Sequence, residues 1–352
     1  MAYSSIIKPS TLMSAKLYTG NGNANHAITG VGFQPDWVWI KNRSTANHYL
    51  FDVVRGAQKN IHSNENYAEV TEATTLTAFG SDGFTLSTDA DLNGNGASVV
   101  SWNWKAGTSF TNDASATGIG SIDSTGSVNT TSGFSICSYT GTGSAGTIKH
   151  GLSTAPKMII WKNRSATASW QVYHHTLPLS SGEYQALQLN LTNVSAPFGT
   201  YNFMNATAPT STVFSLDGVP EMNGNGNSII AYCFAEKQGY SKFGSYTGNG
   251  NADGPFTYLG FKPAFIMIKR TDVAKNWYIN DNLRDGYNND NPYLSPNLTA
   301  AETGGTEIDL LSNGFKITAS GTGHNASGGT YIYMAFAENP FVASNFNAAT
   351  AR

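Results

Sequence analysis

Apolar positions in this chain come in short runs separated by glycine, asparagine and serine, without the 3.6-residue rhythm of amphipathic helices. Trp37-Val-Trp-Ile40 stands between Pro35 and Asn42-Arg-Ser44, and Lys157-Met-Ile-Ile-Trp-Lys162 and Phe265-Ile-Met-Ile-Lys269 behave the same way. Runs this short, rich in β-branched and aromatic residues and closed by turn formers, predict central strands buried on both faces. The proline before each run sits where a strand starts, so its missing N–H costs the ladder nothing. Asn-Gly pairs between runs supply the positive φ of tight hairpin turns. The best helical stretch, 57–73, has no clean period, which leaves room for one short helix per unit at most.

The pattern repeats. Leu17-Tyr-Thr-Gly-Asn-Gly22, Ser138-Tyr-Thr-Gly-Thr-Gly143 and Ser245-Tyr-Thr-Gly-Asn-Gly250 each begin a copy. Seventeen residues after each tyrosine comes a proline (Pro35, Pro156, Pro263), six later a lysine (Lys41, Lys162, Lys269), and eight later an aromatic (Tyr49, Trp170, Trp277). Later landmarks agree more loosely: turns at Asn93-Gly-Asn-Gly96, Asn223-Gly-Asn-Gly226 and His324-Asn-Ala-Ser-Gly-Gly329, each leading into an apolar strand. Self-similarity at this period predicts tandem units. The expectation is an all-β chain of three tandem antiparallel β-sandwich domains, jelly-roll-like, of about 100 residues each. Boundaries follow: an N-terminal attachment arm at 1–16, copies at 17–107, 133–238 and 239–342, a Gly/Ser/Thr-rich linker at 108–132, and a tail at 343–352.

Composition narrows the function. Charged residues are 12% of the chain, about half the usual share, and the net charge is −3 with no basic block, which argues against nucleic acid as a partner. No apolar run is long enough to span a membrane, and the start resembles no signal peptide, so assembly in a cytoplasm is expected. Cys137 and Cys233 then read as buried reduced thiols, with a disulfide between neighbouring strands as the alternative.

Candidate chemistry is thin. Asp89-Ala-Asp-Leu-Asn-Gly94 matches the first half of a calcium loop, but Val100 stands where a bidentate glutamate belongs, so a polar turn is the better reading. His174 and His175 are adjacent in a strand-like stretch, where alternation would send them to opposite faces. Asp52, Glu65, Glu69, Asp281, Asp285 and Glu307 could form a glycosidase pair, yet none recurs in all three copies. No catalytic residue, metal or cofactor is therefore expected. Exposed rings beside Asn and Asp suit sugar binding, and the loop containing Asp281, Asn282, Arg284, Asp285 and Tyr287 has that composition. The arm, with Tyr3, Ile6, Ile7 and Lys8, is expected to add a strand to, or thread into, a neighbouring subunit.

Gly32-Phe-Gln-Pro-Asp-Trp-Val-Trp-Ile-Lys41, Gly239-Tyr-Ser-Lys-Phe-Gly-Ser-Tyr-Thr-Gly248 and Ala335-Phe-Ala-Glu-Asn-Pro-Phe341 resemble a repeat domain of bacteriophage structural proteins, especially those of marine phages described as tail-fibre or virion-associated. The likeness covers nearly everything from Leu17 to Phe341. It implies a place, the virion, made in the host bacterial cytoplasm, and partners among other virion proteins. The leading expectation is a tail-fibre-type surface protein for host attachment or glycan binding. A capsid decoration or head-fibre protein is the alternative, and a glycan-degrading enzyme the remote one. Either a homotrimer, or a monomer whose copies imitate a trimer, fits this reading.

Overall fold

The structure, a computed structural model, describes residues 4–180, 182–199, 201–284, 288 and 291–342. It is all-β: antiparallel sheets carry the chain, and no helix among the described residues exceeds four residues. Each sequence copy builds the same four-strand core. In the first, the order is Met13–Thr19, Ser98–Trp104, Trp37–Asn42, His48–Asp52. In the second it is Phe134–Thr140, Ser228–Phe234, Met158–Asn163, Gln171–His174. In the third it is Ser241–Thr247, Thr330–Pro340, Phe261–Arg270, Trp277–Asp281. A smaller sheet faces each one, built on Gly83–Leu86, Val213–Leu216 and Gly314–Ile317 respectively.

The apolar runs are buried on both sides, and successive side chains serve different cores. Val38 and Ile40 pack with Ile28 and Phe84 of the small sheet, a sandwich-like arrangement. Ile159 and Trp161 do likewise with Phe214, and Ile266 and Ile268 with Phe315. The alternate residues point the other way into one shared cluster. Trp37, Trp39, Trp102 and Trp104 meet Phe134, Ile160, Tyr232 and Phe234, and these meet Phe265, Met267, Met334 and Phe336. Trp37 stacks on Tyr232 with centroids 4.6 Å apart, and Trp104 lies edge-on to Phe336 at 5.7 Å. All three copies thus enclose a single central core.

Strand register corrects one landmark. Lys41 pairs with His48, and Lys269 with Trp277, so His48 rather than Tyr49 matches the tryptophans of the other copies. The segment 108–132, expected as a linker, instead forms strands Thr108–Asn112 and Ser124–Asn129, which extend the second sheet. Ser, Thr and Gly make a good polar edge hairpin as well as a flexible chain, and composition does not separate the two. The arm is also built in where it is described. Ser4 N donates to Val342 O at 3.3 Å, Ile6 joins the central core, and the first strand begins at Met13. Ile7 and Lys8 are exposed, while Tyr3 and the tail 343–352 lie outside the described residues.

The Tyr-Thr-Gly signature has a mechanical cause. The hydroxyls of Tyr18, Tyr139 and Tyr246 donate to the carbonyls of Leu92, Met222 and His324 at 2.7–2.9 Å. The next residues, Asn93, Asn223 and Asn325, accept from the backbone N–H of Asn21, Thr142 and Asn249. A Cβ on Gly20, Gly141 or Gly248 would stand 2.2–2.3 Å from a carbonyl oxygen of the facing turn, so only glycine lets the two segments touch. Gly248→Ala should therefore lower stability by about 2 kcal/mol or more. Gly321→Ala, where an added Cβ meets nothing within 4 Å, should leave the urea midpoint nearly unchanged.

Candidate functional site

The shared lysine of each copy sits at the end of its central strand, fully buried. Lys41 Nζ donates to Asn42 O and Ser44 O, both at 2.7 Å, and to Thr299 O of the third copy at 3.4 Å. Lys162 Nζ donates to Ala168 O (2.7 Å) and to Asn66 O of the first copy (3.0 Å). Lys269 Nζ donates to Arg270 O (2.6 Å) and to Thr192 O of the second (3.2 Å). The ties run first to third, second to first and third to second, a closed ring. Backbone bonds repeat that ring: Ala46 N to Thr299 O, Ala168 N to Asn66 O, and Lys275 N to Thr192 O, at 2.8–3.0 Å. Burial pushes all three ammonium groups down to about 8. Carbonyl oxygens, which cannot ionise, share each charge.

A second ring lies deeper. Asp52, His174 and Asp281 occupy equivalent strand positions, opposite Trp37, Met158 and Phe265. Asp281 accepts from Arg284 Nε at 2.6 Å and from Trp102 Nε1 of the first copy at 2.9 Å. Asp52 is paired with Arg55 and accepts the hydroxyl of Tyr232 of the second copy at 2.7 Å. His174 Nε2 lies 3.1 Å from Tyr333 O of the third copy. Burial alone would raise the Asp281 pKa; the adjacent Arg284 guanidinium outweighs it and holds the carboxyl below the usual carboxylate range.

Two junctions add an ionic latch at the rim. Glu69 bridges Arg55 and Arg164 at 3.2 and 2.9 Å, and Glu302 bridges Arg284 and Arg43 at 2.8 and 2.6 Å. The third junction, between the second and third copies, has Leu177, Ser195 and Thr271 at the matching positions. There the backbone bond remains, Ser195 N to Thr271 O at 3.0 Å, without a salt bridge across the junction among the described residues.

This placement corrects the expected ligand loop. Asp281 and Arg284 are buried in the core and bonded to each other, so neither meets a solvent ligand. Asn282 is half-buried, its N–H donating to Ala264 O at 3.0 Å, and Asp285 and Tyr287 lie outside the described residues. His174 and His175 do not diverge, because the strand ends at His174; their rings stack 5.3 Å apart. His175 Nε2 lies 2.9 Å from Phe243 O, so both histidines reach the third copy. Asp89 caps the short helix Ala90–Asn93, accepting from the N–H of Asp91 and Leu92 at 3.0 Å. Cys137 and Cys233 are buried and not joined to each other. The junction residues were missed as a site, although the Asp-x-x-Arg spacing shared by Asp52/Arg55 and Asp281/Arg284 was visible in the sequence.

The strands and junctions define an all-β, sandwich-like protein closed around one core. Residues 8–340 match a family described as a domain of unknown function (DUF7483), and the chain belongs to that family. The match runs through all three copies. A search of curated proteins finds no match.

Arg284→Met should cost about 3–5 kcal/mol, since it strands a buried carboxylate, whereas Glu302→Gln should cost less, because Asp281 still neutralises Arg284. Chemical denaturation of both variants checks the order. Acid should also weaken the fold. Burial lowers His174 to about 3 and His62, His150 and His324 to about 4, from an ordinary value of 6.5. The unfolded chain therefore binds more protons below pH 6.5, and stability falls as pH drops from there towards 4, by about 1.4 kcal/mol per unit per histidine. A series of melting curves from pH 7 to 4 reads this directly, and a flat profile would show that these rings titrate normally.

Proposed function

We propose that this chain is a bacteriophage virion protein of the tail-fibre type, a surface scaffold that attaches to host glycans and catalyses nothing. Each copy is read as one β-sandwich, and the three surround an approximate threefold axis within one chain. The observation that carries this reading is how the ionisable groups are used. Of the acids that could serve a glycosidase, Asp52 and Asp281 are sealed in buried ion pairs and Glu69 is latched to two arginines. What the copies share is spent on closing the ring, and what differs is loops, the usual division of labour in a binding scaffold. The resemblance of the repeat to phage structural proteins supplies the virion.

A capsid decoration role is the second reading. It is favoured by the internal threefold arrangement, which lets a monomer sit on a threefold axis of a larger shell. Immunogold labelling of phage particles separates the two: label at the tail is expected, and label over the head faces would replace the first reading with the second. Polysaccharide incubated with the protein should keep its chain length on gel filtration; shortening would overturn the non-enzymatic reading.

A further inference from the structure

The ring is not equal at its three junctions. Two are closed by a glutamate held between arginines, and the third carries a neutral residue at every member of that latch. Leu177 replaces Arg55 and Arg284, Ser195 replaces Glu69 and Glu302, and Thr271 replaces Arg43 and Arg164. These same three residues line a hollow of about 510 Å³. A second hollow of about 490 Å³ adjoins it, the two sharing Val194, which is 39% exposed. The missing latch thus borders a hollow whose exposed wall, Val194, also lines the second.

Its lining suits one kind of molecule. Ser195 Oγ donates to Gln185 Oε1 at 2.6 Å, which fixes its direction and leaves its oxygen to accept from a ligand, while the Thr271 hydroxyl is tied to Thr330 Oγ1 at 2.6 Å and holds the wall in place. Asp272 is held ionised by Arg270 at 2.8 Å and faces the hollow as an acceptor. In the adjoining hollow Phe198, half-buried and backed by Phe203 at 5.4 Å, presents a supported ring. Lysine and arginine are absent from both sets of lining residues, so an anionic ligand would find no counter-charge. Hydroxyls, an amide, one carboxylate and a supported aromatic ring are the groups that bind sugar hydroxyls and stack on a pyranose face.

We infer that the junction between the second and third copies is the glycan-binding site, and that it takes a short neutral oligosaccharide lying along the two hollows. This rests on the attachment reading above. The test uses the full chain on an array of neutral and acidic bacterial surface polysaccharide fragments, followed by calorimetric titration with the strongest neutral fragment. Ser195→Glu/Thr271→Arg restores the pair that crosses the other junctions, Glu69 with Arg164 and Glu302 with Arg43, leaves Leu177 in place, and should close the site. Val194→Trp fills the shared wall from an exposed position. Wild-type protein should bind neutral fragments, and both variants should lose roughly tenfold or more in affinity at an unchanged melting temperature. Equal binding by wild type and either folded variant would overturn this site while leaving glycan attachment standing. Binding confined to acidic fragments would overturn the assigned ligand, and silence across the array would remove the attachment reading and the site together.

Discussion

Everything in this fold depends on strands that have no polar face. Val38 and Ile40 look one way and Trp37 and Trp39 the other, and the equivalent strands repeat the arrangement. A facing sheet from the same copy can cover only one side. The other side exposes a contiguous aromatic surface that no soluble single unit could leave in water. Mutual burial of three such surfaces is the solution adopted, and it makes the copies interdependent in stability. Local cores settle what each copy looks like, while the common core settles whether any of them stands.

Closing such a ring brings backbone ends and charges together at its seams. Buried cations normally seek carboxylates, but the three lysines rely on carbonyl oxygens, which supply partial charge without adding an ion that must also be desolvated. The full ion pairs lie next to them, and their carboxylates also receive a tryptophan N–H or a tyrosine O–H from the neighbouring copy. Two seams are therefore recognised by shape, by hydrogen bonds and by ion pairs at once, and the third by shape and hydrogen bonds without an ion pair, which favours this cyclic order over a shuffled one.

Much of this was legible in the residues. The repeat, the all-β class and the two-faced burial of Trp37–Ile40 follow from spacing and from runs without alternation. What the second face touched was not legible, because a run buried against its own partner sheet and one buried against another copy read alike. The same limit hid the role of Asp281 and Arg284: a polar stretch rich in Asn and Asp reads as a loop surface, and only register shows that Asp281 ends a core strand. The hairpin at 108–132 reads as a linker in the sequence, since Ser, Thr and Gly serve both. Sequence spacing aligns Tyr49 with the tryptophans, one residue out of step with the pairing that His48 makes.

Thr330–Pro340, the longest strand among the described residues, is the latest of the third copy's core strands, yet it pairs with Ser241–Thr247 and Phe261–Arg270 and brings Met334 and Phe336 to the centre. During translation the earlier copies emerge first, each with an aromatic face that nothing yet covers. Productive assembly must wait until the third copy has left the ribosome. Contacts of such large sequence separation form slowly, and an uncovered apolar sheet is prone to self-association meanwhile. A chain of this design places its greatest aggregation hazard in the interval between synthesis of the second copy and arrival of Thr330–Pro340, where chaperone capture would matter most.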